Sequence, residues 1–148
     1  MMELVPEAKS VRSHSMTQSS VLLDIFASVG LTHDVNQFIP ASMAGGFAPW
    51  ILWNGLVRCL FCWEDDIACM SQSISLEEPS VVDICRSSTG LKIFNFHPVH
   101  VFLNTESLER YEQTRSLHQE PKELIRLRYR GYGTRSRLIE LLELCKQS

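Results

Sequence analysis

Residues 91–104 read Leu91-Lys92-Ile93-Phe94-Asn95-Phe96-His97-Pro98-Val99-His100-Val101-Phe102-Leu103-Asn104, the densest apolar and aromatic run in the chain. Gly90 opens it, and Leu91, Ile93, Phe94 and Phe96 supply the branched and aromatic content of a strand buried on both faces. His97-Pro98 stops it, because proline donates no backbone hydrogen bond and is excluded from central ladders. The strand is therefore predicted to end at His97, leaving the imidazole at its carboxyl end. In parallel α/β folds that end is where ligands bind and chemistry is done.

Working outward, Leu56, Val57, Leu60, Phe61 and Trp63 form a second apolar strand pattern that gives way at once to Glu64-Asp65-Asp66. The carboxylates are thus expected at a strand end, as His97 is. Earlier, Ser19 or Ser20 can cap a helix whose Leu22, Ile25, Phe26 and Val29 recur at helical spacing, with Gly30 as its stop. Residues 31–38 read as a short strand and 40–49 as a loop. The polar stretch 10–15 is too charged for a core strand. Pro79 precedes a helical face of Val81, Val82 and Cys85. After His97, Asn104 or Thr105 is expected to cap a helix bearing Leu108 and Tyr111. Pro121 begins another helix, which Gly131 and Gly133 break. Thr134 is expected to cap a last helix with Leu138, Leu141, Leu142 and Cys145 on one face. Alternation of this kind predicts an α/β fold with mostly parallel strands, a sheet or part of a barrel.

The chain has 148 residues, 45% hydrophobic and 21% charged, which suits one globular domain with room for a sizeable core. A formal net charge of −3 gives no electrostatic case for nucleic acid. No apolar run approaches the length of a membrane span, and residues 1–10 do not form a signal peptide. Five cysteines without framework spacing point to a reducing, cytoplasmic location. Cys59 and Cys62 form a C-x-x-C, but within a strand their side chains face opposite ways, so buried structural thiols are expected there.

Three polar clusters fall where predicted strands give way to loops: Arg12 with His14, Trp63 with Asp65 and Asp66, and His97 with His100. In a parallel sheet or barrel those ends converge, so all three could line one pocket. A carboxylate beside an imidazole favours the protonated ring, which suits a general acid near neutral pH, and a guanidinium can orient a carboxylate. His97 and His100 flank a proline off any predicted helix, and His33-Asp34 lies in a short strand. No segment supplies three convergent metal ligands by itself, so no metal site is expected from the residues alone.

Val11-Arg12-Ser13-His14-Ser15, Gly30-Leu31-Thr32-His33-Asp34, Phe61-Cys62-Trp63-Glu64-Asp65-Asp66, the run Phe94 to Asn104 and Gly133-Thr134-Arg135-Ser136-Arg137-Leu138 together resemble the carboxyl-terminal part of a NodB-type polysaccharide deacetylase. The branch resembled is associated with surface-polysaccharide or O-antigen biosynthesis. The resemblance implies residues 1–10 as a connecting segment and 11–148 as part of an irregular (β/α) barrel. It implies a hydrolase that removes N-acetyl groups from an amino-sugar polysaccharide or its precursor, using a divalent metal, usually zinc, held by an aspartate and two histidines. By resemblance His97 protonates the departing amine, Asp65 or Asp66 tunes that acid, and Arg12 orients the base. Trp63 and Phe94 then line the substrate pocket, with His14 and His100 beside them. The aspartate pair and histidine pair that hold the family's metal are missing from this chain. It is therefore expected to be a fragment inactive alone, pairing with an amino-terminal half or with a second copy. A different reading is a non-catalytic carbohydrate- or partner-binding module in which Trp50, Trp53 and Trp63 are stacking platforms.

Overall fold

The structure is a computed structural model that describes residues 4–43, 48–73, 79–87 and 89–147. The chain divides into two compact units, one of residues 1–62 with 89–93 and one of residues 63–88 with 94–148.

In the first unit, strands β1 (Ser10–Val11), β2 (His33–Phe38), β3 (Trp50–Ile51) and β4 (Val57–Phe61) form an open sheet in the order β1-β2-β4-β3. β1, β2 and β4 run parallel, and β3 folds back antiparallel on β4 as an edge. The turn between them needs Gly55 at φ +85°, a conformation open to glycine at little cost. Helix α1 (Ser20–Ser28) crosses from β1 to β2. Its ends follow local chemistry. The Ser19 hydroxyl accepts from the Leu22 N–H at 3.1 Å, and Gly30 at φ +87° lets the N–H groups of Gly30 and Leu31 reach the carbonyls of Ala27 and Phe26.

The core of this unit is Val11, Leu23, Leu31, Leu56, Cys59, Leu60, Phe61 and Cys62. A buried polar knot lies beside it. The Arg58 Nε donates to Asp34 Oδ2 at 2.6 Å, and Asn36 Nδ2 donates to Oδ1 at 2.6 Å. Both Asp34 oxygens are thus engaged within the first unit. Cys59 and Cys62 are buried thiols.

Two readings are corrected here. Residues 10–11 are a strand despite their polar neighbours, because Val11 alone points into the core while pairing with β2 satisfies the backbone. The expected helical stripe is rotated: Leu23 is sealed, while Ile25 and Val29 are exposed, since the packing partner rather than periodicity sets which arc faces inward.

In the second unit, β5 (Trp63–Glu64) and β6 (Phe94–Asn95) pair in parallel. Around them lie α2 (Asp65–Ser73), α3 (Val81–Ser87), α4 (Pro98–Leu103), α5 (Leu108–Thr114), α6 (Pro121–Leu124) and α7 (Thr134–Cys145). The long strand predicted over 91–97 is therefore corrected to two half-buried residues. Pro98 explains the change. It sits at the first turn of α4, where a missing N–H costs nothing and its fixed φ suits a helix, so the proline begins a helix rather than only ending a strand.

Asn104 does not cap the following helix. It closes α4 in the left-handed region (φ 54°), and its side chain donates to the carbonyls of Tyr129 and Gly131 and accepts from the Ser136 N–H. Thr134 is the first residue of α7 rather than its cap, with its hydroxyl donating to the Thr105 carbonyl at 2.9 Å. On α7, Leu142 and Cys145 are exposed, so the expected apolar face is narrower than its pattern. Among the described residues no helix is long and apolar enough to cross a membrane.

Candidate functional site

The site of the second unit is assembled from two chain turns. β5 runs directly into α2, which places Glu64, Asp65 and Asp66 in succession at a strand end. β6 runs through His97 into α4, so His97 sits at the cap of α4 and His100 one turn later. Because β5 and β6 are parallel and in register, Trp63 with Phe94 and Glu64 with Asn95, both turns open at the same edge.

His97 is gripped twice by Asp65. Its backbone N–H donates to Oδ2 at 2.7 Å, and its ring Nδ1 lies 2.6 Å from Oδ1. Asp65 is fully buried, whereas His97 is 37% exposed, so the ring has one wet edge. Burial by itself lowers the imidazole's pKa. The hydrogen bond to Asp65 and the charges of Asp65, Asp66 and Glu64 outweigh that and raise it. Burial raises the Asp65 carboxyl, against the opposing hydrogen bonds and charge of His97 and the charge of His100. The pair therefore holds one proton between Nδ1 and Oδ1, which leaves Nε2 as the atom able to exchange a proton with a ligand.

Asp66 faces two imidazoles, with Oδ1 2.6 Å from His100 Nε2 and Oδ2 3.6 Å from His97 Nδ1. Glu64 accepts from Asn95 Nδ2 at 2.7 Å and lies 3.9 Å from His97 Nε2. The rings of His100 and Tyr111 stack at 4.9 Å, and Tyr111 meets His118 at the same centroid distance.

Of the residues expected in the site, Asp65, Asp66, His97 and His100 come together. Arg12 and His14 belong to the first unit, where the Arg12 guanidinium lies 4.6 Å from the Phe61 ring centre and His14 is exposed in a short turn. Trp63 is buried, packed on Phe96 at 4.8 Å and on Phe94 at 6.5 Å, and His100 is buried too, so neither offers a surface for a substrate to touch. Phe94 is half-buried. Glu64, Asn95 and Tyr111 join the cluster without having been picked out. The spacing of His-Pro-x-His held the signal: a proline at a helix start carries a histidine at the cap and another on the first turn.

Two donor groups, Glu64–Asp66–His97 and Asp65–Asp66–His100, bring candidate metal-binding atoms within 4.8 Å of one another. Ligands about 2.0–2.1 Å from one zinc stand roughly 3.3 Å apart in a tetrahedron. Asp66 and His100, at 2.6 Å, are too close to share an ion, and both Asp65 oxygens already accept from His97. Glu64 and His97, at 3.9 Å, stand wider than that tetrahedral spacing. As the side chains stand, the cluster suits protons rather than a metal.

The family model of the WbmS-like polysaccharide deacetylases matches residues 1–115. No curated protein matches the chain. Among solved structures, it is similar to a protein from Bordetella bronchiseptica, WbmS, described as a candidate polysaccharide deacetylase involved in O-antigen biosynthesis. Identity is 39% and the TM-score 0.85, over 97% of this chain and 58% of that one, so this chain spans little more than half the relative's length. With the match covering most of its residues, the chain belongs to the WbmS-like polysaccharide deacetylase family.

Proposed function

We propose that this chain supplies the proton-donating side of a polysaccharide deacetylase that removes N-acetyl groups from amino sugars of a surface polysaccharide or its precursor. The observation that carries this reading is the double grip of Asp65 on His97, which fixes a ring that is 37% exposed and leaves Nε2 outside that grip. When an amide is hydrolysed the amine departs poorly unless it is protonated, and a protonated imidazole beside carboxylates can supply that proton near neutral pH. Family membership and the O-antigen relative support the substrate class. The parallel run of β1, β2 and β4 supports the further reading that residues 11–148 belong to an irregular (β/α) barrel.

The family's metal would activate the attacking water, and the cluster on this chain does not fit one. The metal-bearing side is therefore assigned to protein beyond this chain, an amino-terminal half or a partner copy. Five cysteines without framework spacing support a reducing, cytoplasmic setting.

Acetate release from N-acetylated hexosamine oligosaccharides tests the reading. The chain alone is expected to release none. Supplied with the part of the solved relative that this chain does not span, and with zinc, it is expected to be active, and His97→Ala should lower kcat about 10²- to 10⁴-fold with KM nearly unchanged. Activity indifferent to His97→Ala would overturn it. The exposed Trp50 and Trp53 favour a second reading, a carbohydrate-binding module, in which oligosaccharide binding without turnover is abolished by Trp53→Ala.

A further inference from the structure

We propose that His100 is a positioning residue that acts on His97 by holding the Asp66 carboxylate against it. This rests on the reading of His97 as the proton donor.

The geometry is an interlock. Asp65 and Asp66 are consecutive at the start of α2, so their side chains leave the helix about 100° apart and take different closest partners. α4 answers with two imidazoles a turn apart: His97 meets Asp65 and His100 meets Asp66, both at 2.6 Å. Asp66 is the member at risk. Its side chain is 44% exposed, and exposed ion pairs are weakly held, so a buried partner helps to fix its place. His100 is its opposite, 1% exposed, with its ring stacked on Tyr111 at an interplanar angle of 29°. Facing a carboxylate at 2.6 Å, Nε2 donates to Asp66, while Nδ1 is buried without a hydrogen-bond partner among the described residues. The ring is thus immobilised by packing and commits its one satisfied polar atom to Asp66. The consequence for His97 is that Asp66 Oδ2 stays 3.6 Å from its Nδ1, a second negative charge beside the one from Asp65.

The other titratable or charged groups around the interlock are Glu64 on β5, Cys69 on α2, Tyr111 on α5, His118 in the turn after it and Arg137 on α7. Glu64 is the one carboxylic acid among them. None of the others can replace Asp66 in its effect on His97.

Histidine-resolved NMR titration of the 148-residue chain, without substrate, tests the proposal separately from any deacetylase activity. Asp66→Asn should lower the His97 midpoint. His100→Phe keeps the stack on Tyr111 but loses the donor; it should reproduce most of that fall and add nothing in the double variant. His100→Gln, whose amide can donate from nearly the same place, should restore the midpoint. If His100→Phe does not fold, Tyr111→Leu loosens the same ring with its donor intact and should also lower the midpoint. The proposal is overturned if folded His100→Phe leaves His97 titrating as in the parent while Asp66→Asn shifts it, or if His100→Gln behaves like His100→Phe. It is equally overturned if Tyr111→Leu has no effect where His100→Phe cannot be measured. A lowered midpoint in a protein that releases no acetate in any assembly would refute the deacetylase reading and leave the interlock standing.

Discussion

Asp65 holds His97 through two bonds that belong to different parts of the same residue, its ring Nδ1 at 2.6 Å and its backbone N–H at 2.7 Å. A carboxylate bonded only to the ring could orient it and still let the backbone drift. Bonding the backbone as well ties the cap of α4 to the first residue of α2. Asp65→Asn keeps the shape but cannot accept equally at both oxygens. It is expected to lower the affinity of His97 for its proton, read as a downfield-to-upfield change of its ring resonances at neutral pH.

The same pair makes stability depend on pH. His97 binds its proton more tightly folded than unfolded, so its contribution is fully present below the ordinary histidine value of about 6.5. It is lost as pH rises through the raised folded value. Thermal melts should therefore show Tm falling between about pH 6.5 and the folded midpoint, and His97→Gln should flatten that slope. A slope unchanged in the variant would place its origin in another group.

Gly133 faces the backbone of Asn104, and a Cβ there would overlap the Asn104 carbonyl. Neither side can yield, because the Asn104 side chain is engaged by Tyr129, Gly131 and Ser136. Gly133→Ala is expected to cost about 1–3 kcal/mol by overpacking, measured by urea denaturation, and to loosen α7 where it meets α4. A cost under roughly 0.5 kcal/mol, typical of a surface site, would show that the contact relaxes freely.

Arg58 is the partner of the fully buried Asp34 in the first unit. Arg58→Met leaves that carboxylate bonded to the Asn36 amide but without its counter-charge, and should destabilise the protein by about 3–5 kcal/mol, as expected when one half of a buried pair is removed. Arg58→Met with Asp34→Leu should recover much of the loss. Failure to recover would place the cost in the bonds Arg58 makes to Gln18 and Gln37.

Thiol labelling should separate the cysteines. Cys145 is exposed, whereas Cys59, Cys62 and Cys69 are buried. Burial, with the nearby charge of Asp65, pushes the Cys69 thiol up to about 11, so little thiolate exists at neutral pH. Native protein is expected to lose Cys145 to iodoacetamide first and to protect Cys69 until unfolding, as mass spectrometry of the labelled peptides would show.

The amino-acid sequence by itself determined whatever is decided within a few residues. Ser19 and Gly30 bracket α1 because a hydroxyl and a positive φ are local requirements. The change from Trp63 to Glu64-Asp65-Asp66 marks where a strand becomes a helix. The order of its motifs carried the family resemblance that the comparisons bear out. The strand β1 and the two-residue length of β6 were beyond that kind of reading, since an alternation cannot be recognised over a single repeat and pairing comes from neighbours remote in the chain. Which aspartate serves which histidine was decided only by tertiary structure. Asp65 and Asp66 are chemically identical neighbours, and the angle at which α4 meets α2 turns one toward His97 and the other toward the buried His100. That angle is set by packing over more than 30 residues of chain separation, where no local pattern reports it.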